Sequence, residues 1–363
     1  MRSGCRCLLV GLLVGLLVGQ VAMLAACAGV PPWEAENPVR PIPAAPLGSD
    51  VELGSLSTPP TPDRVRLGRW LFYDTRLSAD GTVSCATCHR PDHAFSEPTA
   101  VSTGIGGQKG RRKAPALINR AANLYPYFFW DGRAASLEAQ MLGPLENPIE
   151  MGNTRAAMVA TLSAVPGYRP YFAAAFGTDQ VTVERVARAI TDYEHTRLSG
   201  HSPYDRWRRS REQAAVSDAV KLGHELFFGK AGCSQCHVGS RFTDTTFHNV
   251  GIGWDPVAKS FTDDGRYEVT QGKGERGEAD RGAFKTPTLR EVSKHAPYMH
   301  DGSIATLREV VAYYNRGGNP NPYLDPKIEP LGLTAAEVEA LVAMLNALDG
   351  EGYQDVAPTT FPR

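Results

Sequence analysis

"CATCH", residues 85–89, and "CSQCH", residues 233–237, each separate two cysteines by two residues and place a histidine directly after them. This is the pattern of covalent c-type haem attachment, in which the thiols reach the two vinyl groups and the histidine ligates the iron. A redox dithiol or half of a zinc site also uses the Cys-x-x-Cys spacing, but neither explains a histidine repeated at the same place. The sequence therefore predicts two covalently bound haem c groups, attached through Cys85, Cys88, Cys233 and Cys236 and ligated by His89 and His237.

The first 27 residues are typical of a bacterial export signal. Two arginines precede an apolar run at 8–18, and "LAAC" at 24–27 resembles a lipobox. In such a signal Cys27 becomes the lipidated first residue of the mature protein, which holds a soluble body at the membrane without spanning it. The alternatives are a plain signal peptide cut nearby and an uncleaved anchor. We predict a periplasmic protein attached to the membrane through a lipid on Cys27.

The composition is that of a globular protein. The 363 residues, 42% of them hydrophobic, suffice for one large domain or two ordinary ones. The formal net charge is -1, and no block of like charge stands out. We therefore expect no nucleic-acid partner, and contact with a membrane only through the lipid anchor.

The folded part contains a weak internal repeat. "LGRWLFYD" (67–74) precedes the first cysteine motif, and "LGHELFFG" (222–229) precedes the second. A second pair of similar blocks follows the motifs, at 113–137 and 285–307. Strand signals are sparse, and the apolar residues of the paired blocks recur at helical spacing. The sequence predicts an all-α fold with two cytochrome c-like helical domains, split near residue 200.

Helices are predicted to close both units, at 181–198 and at 334–348, the second starting on the N-cap candidate Thr334. The segment after the signal is rich in proline and small residues, which suits an extended tether. The predicted domains are a signal peptide at 1–27, a Pro-rich tether at 28–62, an N-terminal haem domain at 63–200 and a C-terminal haem domain at 201–363.

From about Leu67 to the C-terminus, the chain resembles the bacterial dihaem cytochrome c peroxidases, including their MauG-like branch. The blocks that carry the resemblance, in the order of the family, are "LFYDTRLSADGTVSCATCH", "QKGRRKAPALINR", "FFWDGRAASLEAQ", "NPIEMGN" and "TPTLREVSKHAPYMHDGS". The resemblance implies that the N-terminal haem reacts with hydrogen peroxide and that the C-terminal haem exchanges electrons with a donor.

The resemblance also implies catalytic residues around the first haem. Glu150 matches a distal glutamate, whose carboxyl would pass a proton between the two oxygens of peroxide, and Gln140 matches a glutamine on the same side. Many relatives carry a distal histidine where this chain has Ile105, so we expect an iron open to peroxide. Trp130 matches a tryptophan that relays electrons between the haems. On its own, Glu150 could equally be a solvated loop charge, and Trp130 a core aromatic residue.

Calcium is doubtful. The family commonly holds one calcium ion between its domains with an asparagine side chain and backbone carbonyls, and Lys113 stands at that asparagine's position. Because an ammonium repels a dication and could supply the missing charge itself, we predict no conventional calcium site.

The sixth ligand of the second haem is open to several candidates. Thr306 and Glu309 form a capping-box pattern, and Leu307, Val310, Val311 and Tyr314 share one face of the helix that follows. Tyr314 matches the ligand position of the resemblance, with tyrosine as in the MauG-like branch, whereas we expect Tyr313 to lie off the buried face. Tyr314 could instead be a packing tyrosine. The competing ligands are His248, His295, Met299, His300 and Met344, of which His300 is the strongest.

Three functions are compatible with these residues. The first is a dihaem peroxidase that takes electrons from a small cytochrome c or cupredoxin. The second is a MauG-like oxidase that uses high-valent iron to oxidise a protein substrate. The third is a non-catalytic dihaem electron-transfer cytochrome, against which Ile105 and Glu150 argue together.

Overall fold

The computed structural model describes residues 31–120 and 126–363, so the predicted export signal and Cys27 lie outside the described residues. Among the residues described, no helix has the length and apolar character needed to cross a bilayer. The α-helices of this part are α1 Pro32–Glu36, α2 Pro62–Tyr73, α3 Cys85–Cys88, α4 Leu137–Glu146, α5 Arg155–Ser163, α6 Arg169–Phe176, α7 Val183–His195, α8 Pro203–Ser210, α9 Asp218–Phe228, α10 Arg266–Thr270, α11 Leu307–Asn315 and α12 Ala335–Asn346.

The strands are short, and the architecture is mostly helical, as predicted. The described strands are β1 Phe247–Asn249, β2 Trp254–Asp255, β3 Ser260–Phe261 and β4 Ala283–Lys285. They form two antiparallel pairs, β1 with β4 and β2 with β3.

The helices predicted from sequence are present, and their caps explain where they begin. Thr182 accepts a hydrogen bond from the backbone N–H of Arg185 at the start of α7. Reciprocal capping boxes start the last two helices: Thr306 with Glu309 at α11, and Thr334 with Glu337 at α12.

Two hydrophobic cores lie on either side of residue 200. The first is built around α2 and α7, where Trp70, Phe72 and Tyr193 are fully buried. The second is built around α9 and α12, and Met344 lies at its centre. We refer to the two units as the N-terminal and C-terminal lobes.

The repeated Leu-Gly pair explains how each helix pair packs so closely. A Cβ atom on Gly68 of α2 would overlap the carbonyl oxygen of Ala189 on α7. A Cβ atom on Gly223 of α9 would likewise overlap the carbonyl oxygen of Ala340 on α12. The same position of the repeat therefore allows the closest backbone contact in both lobes.

The Pro-rich segment is part of the folded body rather than a free tether where it is described. The Asn37 side chain is buried and donates to the carbonyl of Arg66, 2.9 Å away. Farther along, Val51 and Leu53 are buried, and the carbonyl of Gly48 accepts a hydrogen bond from Arg290 at 2.9 Å. The proline-rich composition predicted an extended tether. Composition does not record these contacts, because they join residues far apart in sequence.

We expect Gly68→Ala and Gly223→Ala each to lower the free energy of unfolding by about 2 kcal/mol, because the added methyl group must push two packed helices apart. Chemical denaturation of the haem-loaded protein, followed by circular dichroism, measures the loss. Gly54→Ala is the matched control, since Gly54 has open space around its Cα, and its effect should stay within about 0.5 kcal/mol. Equal stability of all three variants would contradict the packing argument.

Candidate haem and peroxide site

A cavity of about 120 Å³ lies in the N-terminal lobe, and we call it the N-terminal cavity. It brings together the first haem motif and the three catalytic residues predicted from the sequence. Its lining includes Cys85, Cys88, His89, Trp130, Gln140 and Glu150.

The histidine of each motif is held by a backbone carbonyl. His89 Nδ1 lies 3.1 Å from the carbonyl oxygen of Phe95, and His237 Nδ1 lies 2.8 Å from that of Phe242. A carbonyl can only accept, so Nδ1 carries the proton in each ring and Nε2 is left for a metal. Burial lowers the pKa of His89 to about 4, which keeps its imidazole neutral, as a metal ligand must be.

The two phenylalanines that supply these carbonyls share an unusual backbone conformation. Phe95 has φ of 57° and Phe242 has φ of 53°, in the left-handed region that non-glycine residues seldom adopt. Both side chains are buried in the core of their lobe. The cores therefore hold the strained conformation that aims each carbonyl at a histidine.

The four described cysteines, Cys85, Cys88, Cys233 and Cys236, form no disulfide, which argues against the use of these motifs as disulfide bridges. Burial raises the pKa of Cys88 and of Cys233 to about 12. Protonated thiols beside a neutral imidazole with a free Nε2 fit a covalently attached haem in each lobe.

Glu150 lines the same cavity as the first attachment motif. Asn147 donates from Nδ2 to Glu150 Oε1 at 2.7 Å, which leaves Oε2 for another partner. Burial raises the pKa of the Glu150 carboxyl above its usual range, and the Asn147 hydrogen bond opposes that shift. The raised pKa makes the carboxyl a better proton acceptor and donor than an ordinary surface glutamate.

Ile105 contributes no ligand to the N-terminal cavity, which its side chain does not line. Its backbone N–H donates to the carbonyl of Glu150 at 2.9 Å, and its side chain packs towards Gly152 rather than lining the cavity. Of the described residues that line the cavity, His89 is the only histidine.

A second cavity of about 250 Å³ contains the motif of the C-terminal lobe, and we call it the C-terminal cavity. Its lining includes Cys233, Cys236, His237 and Tyr314. Burial raises the pKa of the Tyr314 phenol above its usual value. Within the described chain, the Tyr314 hydroxyl has no hydrogen-bond partner, unlike a packing tyrosine with a paired hydroxyl.

The neighbouring tyrosine corrects one expectation. Tyr313 was predicted to lie off the buried face, yet it is only 2% exposed. Its hydroxyl donates to the carbonyl of Val250 at 2.6 Å. The helix α11 therefore buries Tyr313 against the protein, whereas Tyr314 lines the cavity.

The other candidate ligands of the second haem differ in their contacts with the protein. Met344 lies in the core and does not line the cavity. His300 stacks on Phe284 with ring centroids 3.5 Å apart, and Met299 lines the cavity beside it. His295 has a buried Nε2 without a hydrogen-bond partner in the described part of the chain.

His248 is held away from ligation by two carboxylates, Asp244 at 2.8 Å and Asp325 at 2.6 Å. Burial alone would lower its pKa, but hydrogen bonds with Asp244, Cys236 and Asp325 raise the pKa to about 10. A protonated imidazole has no lone pair to offer iron.

Trp130 connects the two cavities, because its side chain lines both. Its indole N–H donates to the carbonyl of Lys113 at 2.7 Å. Its own carbonyl accepts a hydrogen bond of 2.8 Å from the backbone N–H of Lys285. Backbone groups from both lobes therefore fix the indole between the two motifs.

Sequence reasoning missed several buried ionisable residues at these cavities. Arg120 and Lys285, together with the Lys113 already considered for calcium, are buried basic residues that line the C-terminal cavity, where their protonated forms would suit the anionic propionates of haem. Lys113 and Lys285 occupy the same position of the internal repeat, "KAP" and "KTP", which is the signal that could have found them. Glu194 lines the N-terminal cavity with a buried Oε2 that has no hydrogen-bond partner among the described residues, and burial raises its pKa to about 8.

The fold and these two cavities are compatible with a helical protein that carries c-type haem, with the Glu150 carboxyl in the cavity of the first motif. Residues 62–213 match the family model described as di-haem cytochrome c peroxidase. The methylamine utilization protein MauG of Methylorubrum extorquens is 40% identical, over 81% of this chain and 80% of the relative. The cytochrome c peroxidase IdrP1 of Denitromonas iodatirespirans is 37% identical, over 86% of each.

A solved structure agrees with these sequence matches. A crystal structure of a MauG-like protein associated with microbial copper homeostasis superposes with a TM-score of 0.73 at 31% identity, over 89% of this chain and 97% of the other. The chain belongs to the di-haem cytochrome c peroxidase family. It is therefore a peroxidase-type oxidoreductase. Membership of this family argues against the third function considered, a non-catalytic electron-transfer cytochrome.

The contacts of the Lys113 ammonium bear on the expectation that the protein has no conventional calcium site. Its ammonium donates to the carbonyl of Glu97 and lies 3.4 Å from that of Thr99, and burial lowers its pKa to about 8. An ammonium already bound to these oxygens does not fit a calcium ion in the same place. We expect elemental analysis of the chelator-treated protein to find no stoichiometric calcium.

Lys113→Asn removes the ammonium and adds an amide oxygen beside the same carbonyls, so this variant should bind calcium. Lys109→Asn, on the exposed surface, is the control and should leave the metal content unchanged. Stoichiometric calcium in the unmodified protein would overturn the expectation.

Proposed function

We propose that the protein reduces hydrogen peroxide at a haem in the N-terminal cavity, with electrons supplied through a second haem that His237 and Tyr314 ligate. The observation that carries the proposal is the placement of Glu150 in one cavity with His89, without a second histidine among the described lining residues. The reaction consumes one peroxide, two electrons and two protons and releases two waters.

The bound haem would supply an iron that coordinates and reduces peroxide, with His89 as its protein ligand. Glu150 moves the proton: its carboxylate accepts the proton of one peroxide oxygen and returns it to the other, the leaving one. Asn147 positions the carboxylate through Oε1, so that Oε2 performs the exchange. Gln140, on α4, orients peroxide or the released water by hydrogen bonding from its amide.

Trp130 carries electrons between the lobes. Because its side chain lines both cavities and its backbone and indole are hydrogen bonded to both lobes, it offers one aromatic step between the two haem sites. Lys113 and Lys285 beside it balance the negative charge of the propionates.

Tyr314 favours the MauG-like variant of this chemistry as a second candidate. A phenolate is a hard, anionic ligand that stabilises oxidised iron relative to a methionine ligand. The second haem would then store an oxidising equivalent rather than accept electrons from high-potential donors. The supporting observation is the cavity-facing phenol without a hydrogen-bond partner in the described chain, and the substrate would be a protein side chain.

The cellular setting follows from the sequence. The export signal and lipobox support a periplasmic enzyme anchored through Cys27. The electron donor of the peroxidase would be a cytochrome c or cupredoxin of the same compartment.

Glu150→Gln should slow peroxide reduction by about two orders of magnitude or more, because the amide cannot accept the proton. Stopped-flow absorption at several pH values measures the rate. In the unmodified protein the rate should fall as pH drops through the raised pKa of Glu150, and the variant should lose this dependence. A variant with an unchanged rate and full haem content would refute the role of Glu150.

Tyr314→Phe should convert the C-terminal haem from low-spin to high-spin, since the phenyl ring offers no ligand atom. Electron paramagnetic resonance and absorption spectroscopy of the oxidised protein measure the change. Tyr313→Phe is the matched control on the same helix and should leave the spectra unaltered. A low-spin signal that survives in Tyr314→Phe would reassign the ligand, with His300 and Met299 as the next residues to replace.

A further inference from the structure

The surface of the C-terminal lobe carries a local concentration of arginine that the net charge of the chain hides. "RWRRSR" at 206–211 spans the end of α8 and the loop after it, and Arg208, Arg209 and Arg211 are exposed. We call these three residues the arginine face. In the described chain none of the three has a carboxylate partner, whereas Arg206 is paired with Glu212.

A series of aromatic contacts runs from Trp207, within this stretch, to the second motif. Trp207 contacts His224 with ring centroids 5.2 Å apart, and His224 contacts Phe228 at 4.7 Å. Phe228 contacts Phe227 at 5.2 Å, and Phe227 lies 6.5 Å from His237. Five packed rings therefore join the surface beside the arginines to the histidine of the second motif.

One ring of the aromatic series is exposed to solvent, and another is held in place by a hydrogen bond. Phe228 is 49% exposed, although it is a large apolar side chain, and Trp207 is half-buried beside it. Tyr204 hydrogen bonds to His224 Nδ1 at 3.0 Å, which orients the middle ring. Exposed aromatic rings bordered by cations are a surface that suits a protein partner of opposite charge.

We propose that the arginine face is the docking surface for a small redox protein with an acidic surface, which delivers electrons to the C-terminal haem site through Trp207, His224, Phe228 and Phe227. This inference rests on the proposed function, and it specifies the electron donor as a protein with a negatively charged surface. Each docking event oxidises the partner by one electron, and two such events serve one peroxide. An anionic membrane or nucleic acid would also contact arginines, but neither makes use of an aromatic series that ends at His237.

Arg208→Glu/Arg209→Glu tests the docking surface. With a reduced acidic cytochrome c as the probe at low ionic strength, kcat/KM should fall about tenfold or more, because attraction becomes repulsion. The unmodified protein should lose rate as salt is added, and the variant should not. Lys259→Glu/Lys273→Glu is the matched control, since it reverses two exposed charges of the same lobe and changes the net charge equally.

A basic cytochrome c and a neutral small-molecule donor complete the design. A selective loss with the acidic cytochrome supports docking, and equal rates for the arginine and control variants would overturn it. An equal loss with the neutral donor would also overturn it, because the substitutions would then act on the lobe itself. If the protein reduces no peroxide with any donor, the proposed function fails, and reduction of the haem by the acidic cytochrome without peroxide still tests docking.

The aromatic series has its own test at saturating acidic cytochrome. Trp207→Leu should lower kcat several-fold, and Trp207→Phe, which keeps an aromatic ring, should retain most of it. Unchanged turnover in Trp207→Leu would exclude this route even if the arginine face binds the partner.

Discussion

Two hydrogen bonds between an imidazole and a backbone carbonyl underlie the whole arrangement, His89 to Phe95 and His237 to Phe242. Each carbonyl belongs to a buried phenylalanine in a left-handed conformation, which costs on the order of 1–3 kcal/mol. Burial of an aromatic ring offsets a cost of this size. The hydrophobic packing of each lobe therefore determines how its histidine presents Nε2.

The two lobes share one arrangement of helices and differ in residues that line their cavities. Both cross their main helices at a glycine, Gly68 or Gly223, and both bring a buried lysine to the cavities. In the cavity that holds its histidine, the N-terminal lobe has the carboxyl of Glu150, and the C-terminal lobe has the phenol of Tyr314. The repeat thus supplies a common scaffold, and the residues that line the cavities distinguish the two proposed haem sites.

Local sequence patterns predicted the haem motifs and the main helices. Features that depend on contacts between distant parts of the sequence were not predicted. Cysteine spacing and capping boxes depend on neighbours within a few residues, so the haem motifs and α11 could be located. Helix periodicity placed Tyr314 on the inner face but missed Tyr313, which is buried by Val250 from another part of the chain. The packing of the Pro-rich segment and the burial of Lys285 and Glu194 depend on tertiary contacts that no local pattern records.

The way Trp130 is held has an evolutionary consequence. Its indole binds the main-chain carbonyl of Lys113, and its carbonyl binds the main-chain N–H of Lys285, so neither bond involves a lysine side chain. Mutation of Lys113 can exchange an ammonium for a metal-binding amide while the indole keeps both hydrogen bonds. Lineages could therefore gain or lose a structural cation without first rebuilding the connection between their redox centres.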